Sequence, residues 1–257
     1  MSFKVVIPAR YGSTRLPAKP LLEIGGKPMI QWVVEQACMA QADEVVVATD
    51  DVRIAQVVKD PRGRQQAMAV MTRADHASGT DRIAEVAKSR GWSGDTVVVN
   101  VQGDEPQIPP ALIDQVAALL ESDPHADLAT LCTPVMNNEE LLNPNIVKVV
   151  RAADGAALYF SRAPIPLNRD AAALAVDAAE RHAGALRHIG IFAYRVDALL
   201  RMTALPVSAL EATEKLEQLR ALEAGMRIAV GIASQVPGIG VDTADDIERL
   251  RGALKPG

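Results

Sequence analysis

The sequence contains little cysteine, few aromatic residues and no long apolar segment. Cys38 and Cys132 are the only cysteines, and aromatic residues make up 3% of the 257 positions. Two cysteines in apolar surroundings indicate free thiols in a reducing compartment rather than the disulfide framework of a secreted domain. No run approaches the roughly 20 apolar residues that a membrane span needs, and the start, MSFKVVIPAR, lacks the layout of a signal peptide. The sequence therefore predicts a cytoplasmic protein without membrane contact.

The chain also lacks an excess of basic charge and a recognisable zinc-binding spacing. Its formal net charge is −5 at pH 7 and its isoelectric point is about 5.5, which argues against a broad surface for nucleic acid. The four histidines and two cysteines are scattered and do not match the spacing of a zinc site. Any cluster of cations is therefore a local feature of an acidic protein.

Short apolar runs alternate with helical patterns along the first half of the chain. FKVVIPA, EVVVATD, AMAVMT and TVVVNVQ are typical of buried parallel strands. This alternation predicts an α/β fold with a doubly wound, mostly parallel sheet. After about residue 145 the rhythm changes, since IVKVVRA and AALYFSR predict two strands joined by a turn at AADG. We expect one domain, residues 1–257, with a smaller β-rich sub-structure inserted at about 145–205.

Two later segments have a helical pattern. LEATEKLEQLRALEAG has the spacing of a single amphipathic helix that ends at Gly225. The Ala-rich segment 169–186 predicts a helical or loose insertion.

Three cations share the loop that follows the first predicted strand. The loop YGSTRLPAK and the residue before it supply Arg10, Arg15 and Lys19. Ligands of open parallel sheets bind at the carboxyl ends of the strands, and loop amides near a glycine, together with cations, make an anion cradle. Three cations suit a triphosphate, although a solvated basic turn is the alternative. G-x-x-x-x-G-K-[ST] and G-x-G-x-x-G are both absent here, so neither a P-loop ATPase nor a dinucleotide enzyme is indicated.

Two aspartates occupy predicted strand ends on opposite sides of the sequence. Asp104 follows the fourth strand in NVQGDEP, and Asp242 follows the last strand in GIGVDTADD. A carboxylate at this edge of the sheet, such as that of Asp104, is expected to lie near the phosphate-binding loop. A capped turn for Asp104 and a helix N-cap for Asp242 are the structural alternatives.

Several motifs in order resemble one enzyme family. PARYGSTRLPAKPL resembles the signature loop of the sugar nucleotidyltransferases. Read together with VVNVQGDEPQIP, NPNIVKVV, ALYFSRAPIP, RHIGIFAYR, LEQLRALEAG and GIGVDTADDIERL, the chain resembles the 3-deoxy-manno-octulosonate (Kdo) cytidylyltransferases from residue 3 to about 251. The resemblance implies a Rossmann-like sheet of the nucleotide-diphospho-sugar transferase type, whose inserted sub-structure serves sugar binding and dimerisation.

The resemblance also implies roles for individual residues. The catalytic set would be Arg10, Arg15, Lys19, Asp104 and Asp242, with magnesium on the two aspartates. CTP would be bound by Pro8, Ala9, Arg10, Ser13, Thr14, Arg15, Lys19, Ser78, Gly79 and Arg82. Kdo would be bound by Gln102, Arg162, His188, Glu217 and Gln218. From the residues alone, Ser78 and Gly79 could be a helix cap, His188 a core histidine, and Glu217 and Gln218 a solvated helix face.

The implied reaction is a cytidylyl transfer for lipopolysaccharide biosynthesis. The anomeric hydroxyl of Kdo would attack the α-phosphorus of CTP, forming CMP-Kdo and diphosphate, and the enzyme would be a homodimer. Transfer to another acid sugar, such as sialic acid or an amino-substituted Kdo, is one alternative. A non-catalytic nucleotide-sugar sensor is another, and a dehydrogenase is a third that the missing glycine fingerprint weakens.

Overall fold

The computed structural model describes residues 2–12, 16–58, 67–169, 182–238, 240–241 and 243–253. Within these ranges no helix is long and apolar enough to cross a membrane. Ser13, Thr14, Arg15 and Asp242 lie outside the described residues, as does 170–181, most of the Ala-rich segment.

Nine strands of the described chain form one twisted sheet. In spatial order its main path is β11-β7-β10-β6-β1-β4-β5, and β8 and β9 extend from β10. β1 pairs in parallel with β4 and β6, β4 pairs in parallel with β5, and β7 pairs in parallel with β11. The strands are β1 Phe3–Ala9, β2 Glu23–Ile24, β3 Lys27–Pro28, β4 Glu44–Thr49, β5 Ala67–Met71, β6 Val97–Asn100, β7 Leu128–Pro134, β8 Lys148–Arg151, β9 Ala157–Ser161, β10 Leu186–Arg195 and β11 Ile228–Ile232; β2 and β3 form a separate two-stranded ladder.

Helices cover both faces of this sheet. They are α1 Met29–Met39, α2 Val52–Val57, α3 Gly79–Ser89, α4 Pro110–Ser122, α5 Asn138–Leu142, α6 Val196–Ala204, α7 Ala209–Glu214, α8 Gln218–Glu223 and α9 Ala244–Ala253, with a 3₁₀ turn at Lys19–Leu21. α1, α2 and α4 pack on one face, and α3, α6 and α8 pack on the other. The predicted doubly wound fold is confirmed.

Burial on both faces explains the composition of the central strands. In β1, Val5 and Ile7 point into the cluster under α1 and α4, while Val6 points into the cluster under α3 and α6. A strand with helices on both sides has no solvated face, so its sequence is continuously apolar rather than alternating. The polar loop that follows it therefore begins at the sheet's carboxyl edge.

β10 lies within the residues predicted to form the insert, yet it runs through the middle of the main sheet. It is antiparallel to both β6 and β7, with a register shift between Ile189 and Phe192. Its first two residues also pair with β8, which carries the β8–β9 hairpin. The hairpin is thus anchored on a core strand. The division of the chain into one domain and an insert stays a prediction.

The prediction of one continuous helix up to Gly225 is wrong. The structure has two short helices, α7 and α8, and Lys215 between them adopts the left-handed conformation with φ 55°. The Glu214 carboxylate accepts hydrogen bonds from Ser161 Oγ at 2.6 Å and from the Arg162 amide at 2.9 Å. These contacts hold the end of α7 on β9, and the turn that follows directs Glu217 and Gln218 toward the sheet edge.

Candidate active site

A cavity of about 330 Å³ opens at the carboxyl edge of the sheet, where β1 and β6 end. Its walls come from the loops after these strands, the 3₁₀ turn and the start of α3. The residues that line it are Pro8, Ala9, Arg10, Lys19, Pro20, Met29, His76, Ala77, Ser78, Gly79, Arg82, Gln102, Gly103, Asp104 and Glu217. We call it the first cavity. It brings together all seven of the described residues predicted to bind CTP.

The cationic side of the first cavity carries Arg10 and Lys19. The Lys19 Nζ lies 2.6 Å from Asp104 Oδ2, and the Asp104 side chain is 38% exposed. Lys19 and Asp104 therefore form an ion pair in the first cavity, although they are 85 positions apart in sequence. Arg15, the third predicted cation, belongs to the residues that the structure leaves undescribed.

The loop that holds these cations is fixed at its base by backbone contacts. Ala18 takes the left-handed conformation with φ 56°, and its amide donates to Tyr11 O at 3.3 Å. The Tyr11 amide donates to Asp50 Oδ1 at 3.2 Å, and the Arg53 guanidinium stacks 3.6 Å from the centre of the Tyr11 ring. A loop closed in this way presents its cations with less conformational freedom to lose on binding.

Main chain from β6 packs directly against the end of β1. A Cβ on Gly103 would lie 2.8 Å from the Pro8 carbonyl oxygen, which is closer than real Cβ atoms come. A Cβ on Gly79 would lie 3.2 Å from Pro8 Cγ. Gly103 is therefore required for this close approach. This close approach places the next residue, Asp104, on the cavity wall.

The segment at Gly240 and Val241 packs against the loop that carries Asp104. The Val241 amide donates to the Asp104 carbonyl oxygen at 2.9 Å. A Cβ on Gly240 would lie 2.7 Å from Glu105 Oε1, so this segment runs closely along the loop after β6. Asp242 itself is outside the described residues. Among those described, no three His, Cys, Asp or Glu side chains cluster as a metal site.

Ser78 and Arg82 hold the third wall of the first cavity. Ser78 is the N-cap of α3 in a capping box, in which its hydroxyl accepts from the Asp81 amide at 3.2 Å. The buried Arg82 guanidinium donates to Thr72 Oγ1, to Arg73 O at 3.1 Å and to Asp50 Oδ2 at 3.2 Å. Both residues line the cavity, and both also keep its loops in position.

A second cavity of about 280 Å³ adjoins the first. Gly79, Gln102 and Glu217 line both. The remaining lining residues of the second cavity are Thr80, Asn100, Val147, His188, Gly190, Phe192, Tyr194, Leu216 and Gln218. Four of the five residues predicted to bind the sugar therefore meet here, although they come from β6, β10 and the α7–α8 turn.

His188 is a neutral imidazole in this second cavity. Its ring contacts Phe160 and Phe192 at centroid distances of 5.0 and 5.1 Å. Burial lowers the pKa of His188 to about 3. Thr130 Oγ1 donates to Ile191 O at 2.6 Å and lies 2.9 Å from His188 Nε2, so Nε2 carries the ring proton and donates to the hydroxyl.

Glu217 lies at the junction of the two cavities. Its Oε2 accepts a hydrogen bond from Thr80 Oγ1 at 2.6 Å. Burial raises the pKa of the Glu217 carboxyl, and the neighbouring charges of Asp81 and Glu211 raise it further. The Tyr194 pKa is also raised, chiefly by burial, although hydrogen bonds with Thr80 and Asn100 oppose the shift. Glu217, Thr80, Tyr194 and Asn100 therefore form one polar network.

Arg162 is not brought into either cavity. Its Nε donates to Glu214 O at 2.7 Å and its Nη1 to Pro144 O at 2.9 Å. Its carbonyl oxygen in turn accepts from Lys148 Nζ at 2.8 Å. The guanidinium is occupied by main-chain carbonyls, so its predicted role in binding the sugar stays a prediction.

Sequence reasoning missed four polar lining residues: His76, Thr80, Asn100 and Tyr194. The His76 side chain is 14% exposed, and its Nε2 contacts Glu85 Oε2. Asn100 is the one polar residue of β6, VVVN. A polar side chain at the end of a wholly apolar strand was the signal available for it.

The fold and the two cavities define a nucleotidyltransferase, and comparison with known proteins gives the same class. The cytidylyltransferase family model matches residues 4–228. A solved cytidylyltransferase from Leptospira borgpetersenii is 16% identical, covers 97% of this chain and 84% of its own, and shares the fold with a TM-score of 0.58.

Nearer relatives are more specific. The 3-deoxy-manno-octulosonate cytidylyltransferase of Thioalkalivibrio sulfidiphilus is 56% identical over 99% of this chain and 100% of its own, and that of Pseudomonas fluorescens is 53% identical over 99% and 98%. A solved CMP:2-keto-3-deoxy-manno-octonic acid synthetase complexed with CTP is 44% identical, covers 98% and 97% of the two chains and has a TM-score of 0.85. The chain belongs to the 3-deoxy-manno-octulosonate cytidylyltransferase family.

Proposed function

We propose that the protein transfers the cytidylyl group of CTP to the anomeric hydroxyl of Kdo and releases diphosphate. The observation that carries this proposal is the pair of adjoining cavities, which share Gly79, Gln102 and Glu217. One cavity is rich in cations and main-chain groups, and the other in neutral polar groups. Two substrates bound side by side would have their reacting atoms near the shared wall.

The first cavity is proposed to bind CTP. Arg10 and Lys19, with Arg15, would contact the triphosphate, and each charge-assisted contact stabilises by about 1.5–3 kcal/mol. Pro8, Ala9, Ser78 and Gly79 would pack against the base and ribose, with Ser13 and Thr14 contributing from the loop. Arg82 would act by holding the Thr72–Arg73 segment beside the base.

The second cavity is proposed to bind Kdo. Gln102, His188, Glu217 and Gln218 would contact its hydroxyls, and Arg162 its carboxylate. Neutral His188 suits a hydroxyl rather than the acid group, since it carries no charge at neutral pH. Val147, Leu216 and Phe192 supply apolar walls for the carbon skeleton.

The residues present fit a magnesium ion. The partly exposed Asp104 carboxylate on the first cavity wall offers oxygen ligands of the kind that Mg²⁺ combines with phosphate oxygens. Asp242 is proposed as the second ligand, and its support is the hydrogen bond that the preceding residue, Val241, makes to Asp104 O. When bound, the ion would neutralise phosphate charge and acidify the attacking hydroxyl.

The reaction depends on positioning and charge rather than on a covalent intermediate. Glu217 and Gln102, which reach both cavities, would orient the sugar hydroxyl toward the α-phosphorus for in-line attack. Arg10, Arg15 and Lys19 would stabilise the negative charge that develops on the leaving diphosphate. The product would enter lipopolysaccharide assembly, and the enzyme would act in the cytoplasm.

A homodimer is proposed through the β8–β9 hairpin and its surroundings. Leu158 on β9 is 60% exposed and Ile232 at the end of β11 is 45% exposed. A contiguous exposed apolar patch is typical of a protein contact, and these two side chains would belong to such a patch. Sedimentation velocity would test this, since Leu158→Lys is expected to give a monomer if the proposal holds.

The function is tested by diphosphate release from purified protein. CTP with Kdo is expected to give rapid release that a chelator abolishes and added Mg²⁺ restores. ATP, GTP or UTP with Kdo, and CTP with sialic acid or an amino-substituted Kdo, are expected to give much less. Faster turnover with another sugar acid would reassign the substrate, and CTP binding without release for any sugar would favour a sensor.

A further inference from the structure

The end of β6 places one polar side chain on the floor of the second cavity. Asn100 is 3% exposed and lies on the face of the sheet that packs against α3 and α6, beside Tyr194 of β10. Its neighbours on the strand, Val98 and Val99, belong to the apolar clusters on the two faces. A polar group in such a position costs stability unless it is hydrogen-bonded.

The amide of Asn100 is only half satisfied. The side chain lies close enough to the Tyr194 hydroxyl to lower the pKa of that group, but Oδ1 has no hydrogen-bond partner among the described residues. Buried polar atoms without partners are rare in folded proteins, and each one requires an explanation such as a catalytic role or a bound water or ion. Asn100 itself lines the second cavity, although Oδ1 is buried.

Two further acceptors, on Glu217 and Gly190, lie on the wall near Asn100. Thr80 Oγ1 gives its proton to Glu217 Oε2 at 2.6 Å, and the Tyr194 hydroxyl is engaged with Thr80 and Asn100. The Gly190 carbonyl adds another acceptor on the cavity wall. A ligand group that satisfies Asn100 Oδ1 must be a hydrogen-bond donor.

We propose that Asn100 Oδ1 accepts a hydrogen bond from one hydroxyl of the sugar and thereby helps to determine which sugars are accepted. The inference rests on the proposed function and extends it to a residue that none of the sequence motifs assigned to sugar binding. Sites that hydrogen-bond a substrate hydroxyl discriminate strongly against analogues that lack it, because a buried polar group is then left unpaired.

The test compares Kdo with a set of analogues that each lack one hydroxyl. Diphosphate release is measured with the full-length protein for the wild type, Asn100→Leu and Tyr194→Phe. In the wild type, one analogue is expected to lose about 10-fold or more in kcat/KM. In Asn100→Leu, kcat/KM for Kdo itself is expected to fall by a similar factor. The kcat/KM for that analogue is expected to fall no further than the kcat/KM for Kdo does.

Tyr194→Phe is the matched control, because it removes a hydroxyl from the same network and keeps the Asn100 acceptor. It is expected to retain the wild-type ranking of the analogues. If Asn100→Leu does not fold, as judged by circular dichroism and CTP binding, Asn100→Ser gives the same comparison with a shorter side chain that cannot reach the ligand.

Two negative results are distinguishable. If wild-type protein turns over Kdo but the analogue ranking is identical in the wild type and in the folded Asn100 variant, this inference is overturned and the proposed function stands. If wild-type protein releases no diphosphate from CTP and Kdo, the proposed function fails, and the inference fails with it.

Discussion

The two cavities differ in how the chain builds them. The first takes its walls from the ends of β1 and β6 and from the start of α3, and it relies on close main-chain contacts at Pro8, Gly79 and Gly103. The second is assembled from side chains on β6, β10, α3 and the α7–α8 turn. Anionic phosphates are recognised by loops and cations, whereas a sugar needs individual side chains from separate elements. The first design leaves a contiguous motif in the sequence, and the second leaves isolated residues.

The largest effect is expected from Asp104→Asn, which tests whether the catalytic charge belongs to the first cavity. The variant should fold but lose at least about 100-fold in turnover, near 2.7 kcal/mol, because a neutral amide is a poorer ligand for Mg²⁺. Steady-state kinetics at saturating CTP and Kdo measure this. Glu121→Gln, an exposed carboxylate on α4, serves as control. Wild-type turnover in Asp104→Asn would refute the role.

Lys148→Met should damage the second cavity more than the first. Fully buried Lys148 Nζ donates to Asn143 O, Ile146 O and Arg162 O at 2.9, 2.6 and 2.8 Å. Removing these donors should cost about 2–4 kcal/mol of unfolding free energy. The KM for Kdo should rise more than the KM for CTP. Lys88→Met on the exposed side of α3 is the control; equal stability of both variants would contradict the expectation.

Gly103→Ala should instead damage the first cavity. The new Cβ would meet the Pro8 carbonyl oxygen at 2.8 Å, so β1 and the loop after β6 must separate. We expect a loss of about 1–3 kcal/mol in unfolding free energy and weaker CTP binding by calorimetry. Gly190→Ala, where a Cβ meets nothing within 4 Å, should change stability by less than about 0.5 kcal/mol. Similar behaviour of the two variants would argue against close packing as the cause.

The smallest effect concerns His188 and pH. Burial lowers its folded-state pKa to about 3, while the unfolded chain takes up that proton near pH 6.5. The unfolded state therefore binds more protons between these values, so stability falls as pH drops below about 6.5. The wild type should lose about 1 kcal/mol more than His188→Gln between pH 7 and pH 5.5 in urea unfolding. Parallel pH profiles would contradict a buried neutral imidazole.

The contrast between the cavities also explains what the sequence could predict. The apolar run of β1, the loop cations and Asp104 were predictable, because strand pattern and strand-end position place them at one edge. The helix break at Lys215 was not predictable, because the sequence pattern around it remains helical. Its cause is a tertiary contact between Glu214 and the Ser161–Arg162 segment. Asn100 and Tyr194 escaped notice because each lies within an apolar strand. Arg162 resembles a ligand-binding arginine in sequence but is held by carbonyls in the structure.

The hydrogen bond from Val241 to Asp104 has a consequence for synthesis on the ribosome. The loop after β1 is made before the sheet's central strands, whereas the partner of the Asp104 carbonyl follows β11, the last described strand. A nascent chain stalled before Val241 would contain every described strand and still lack the contact that holds the Asp104 backbone. Competence to bind CTP should therefore appear late and abruptly during translation, well after compaction.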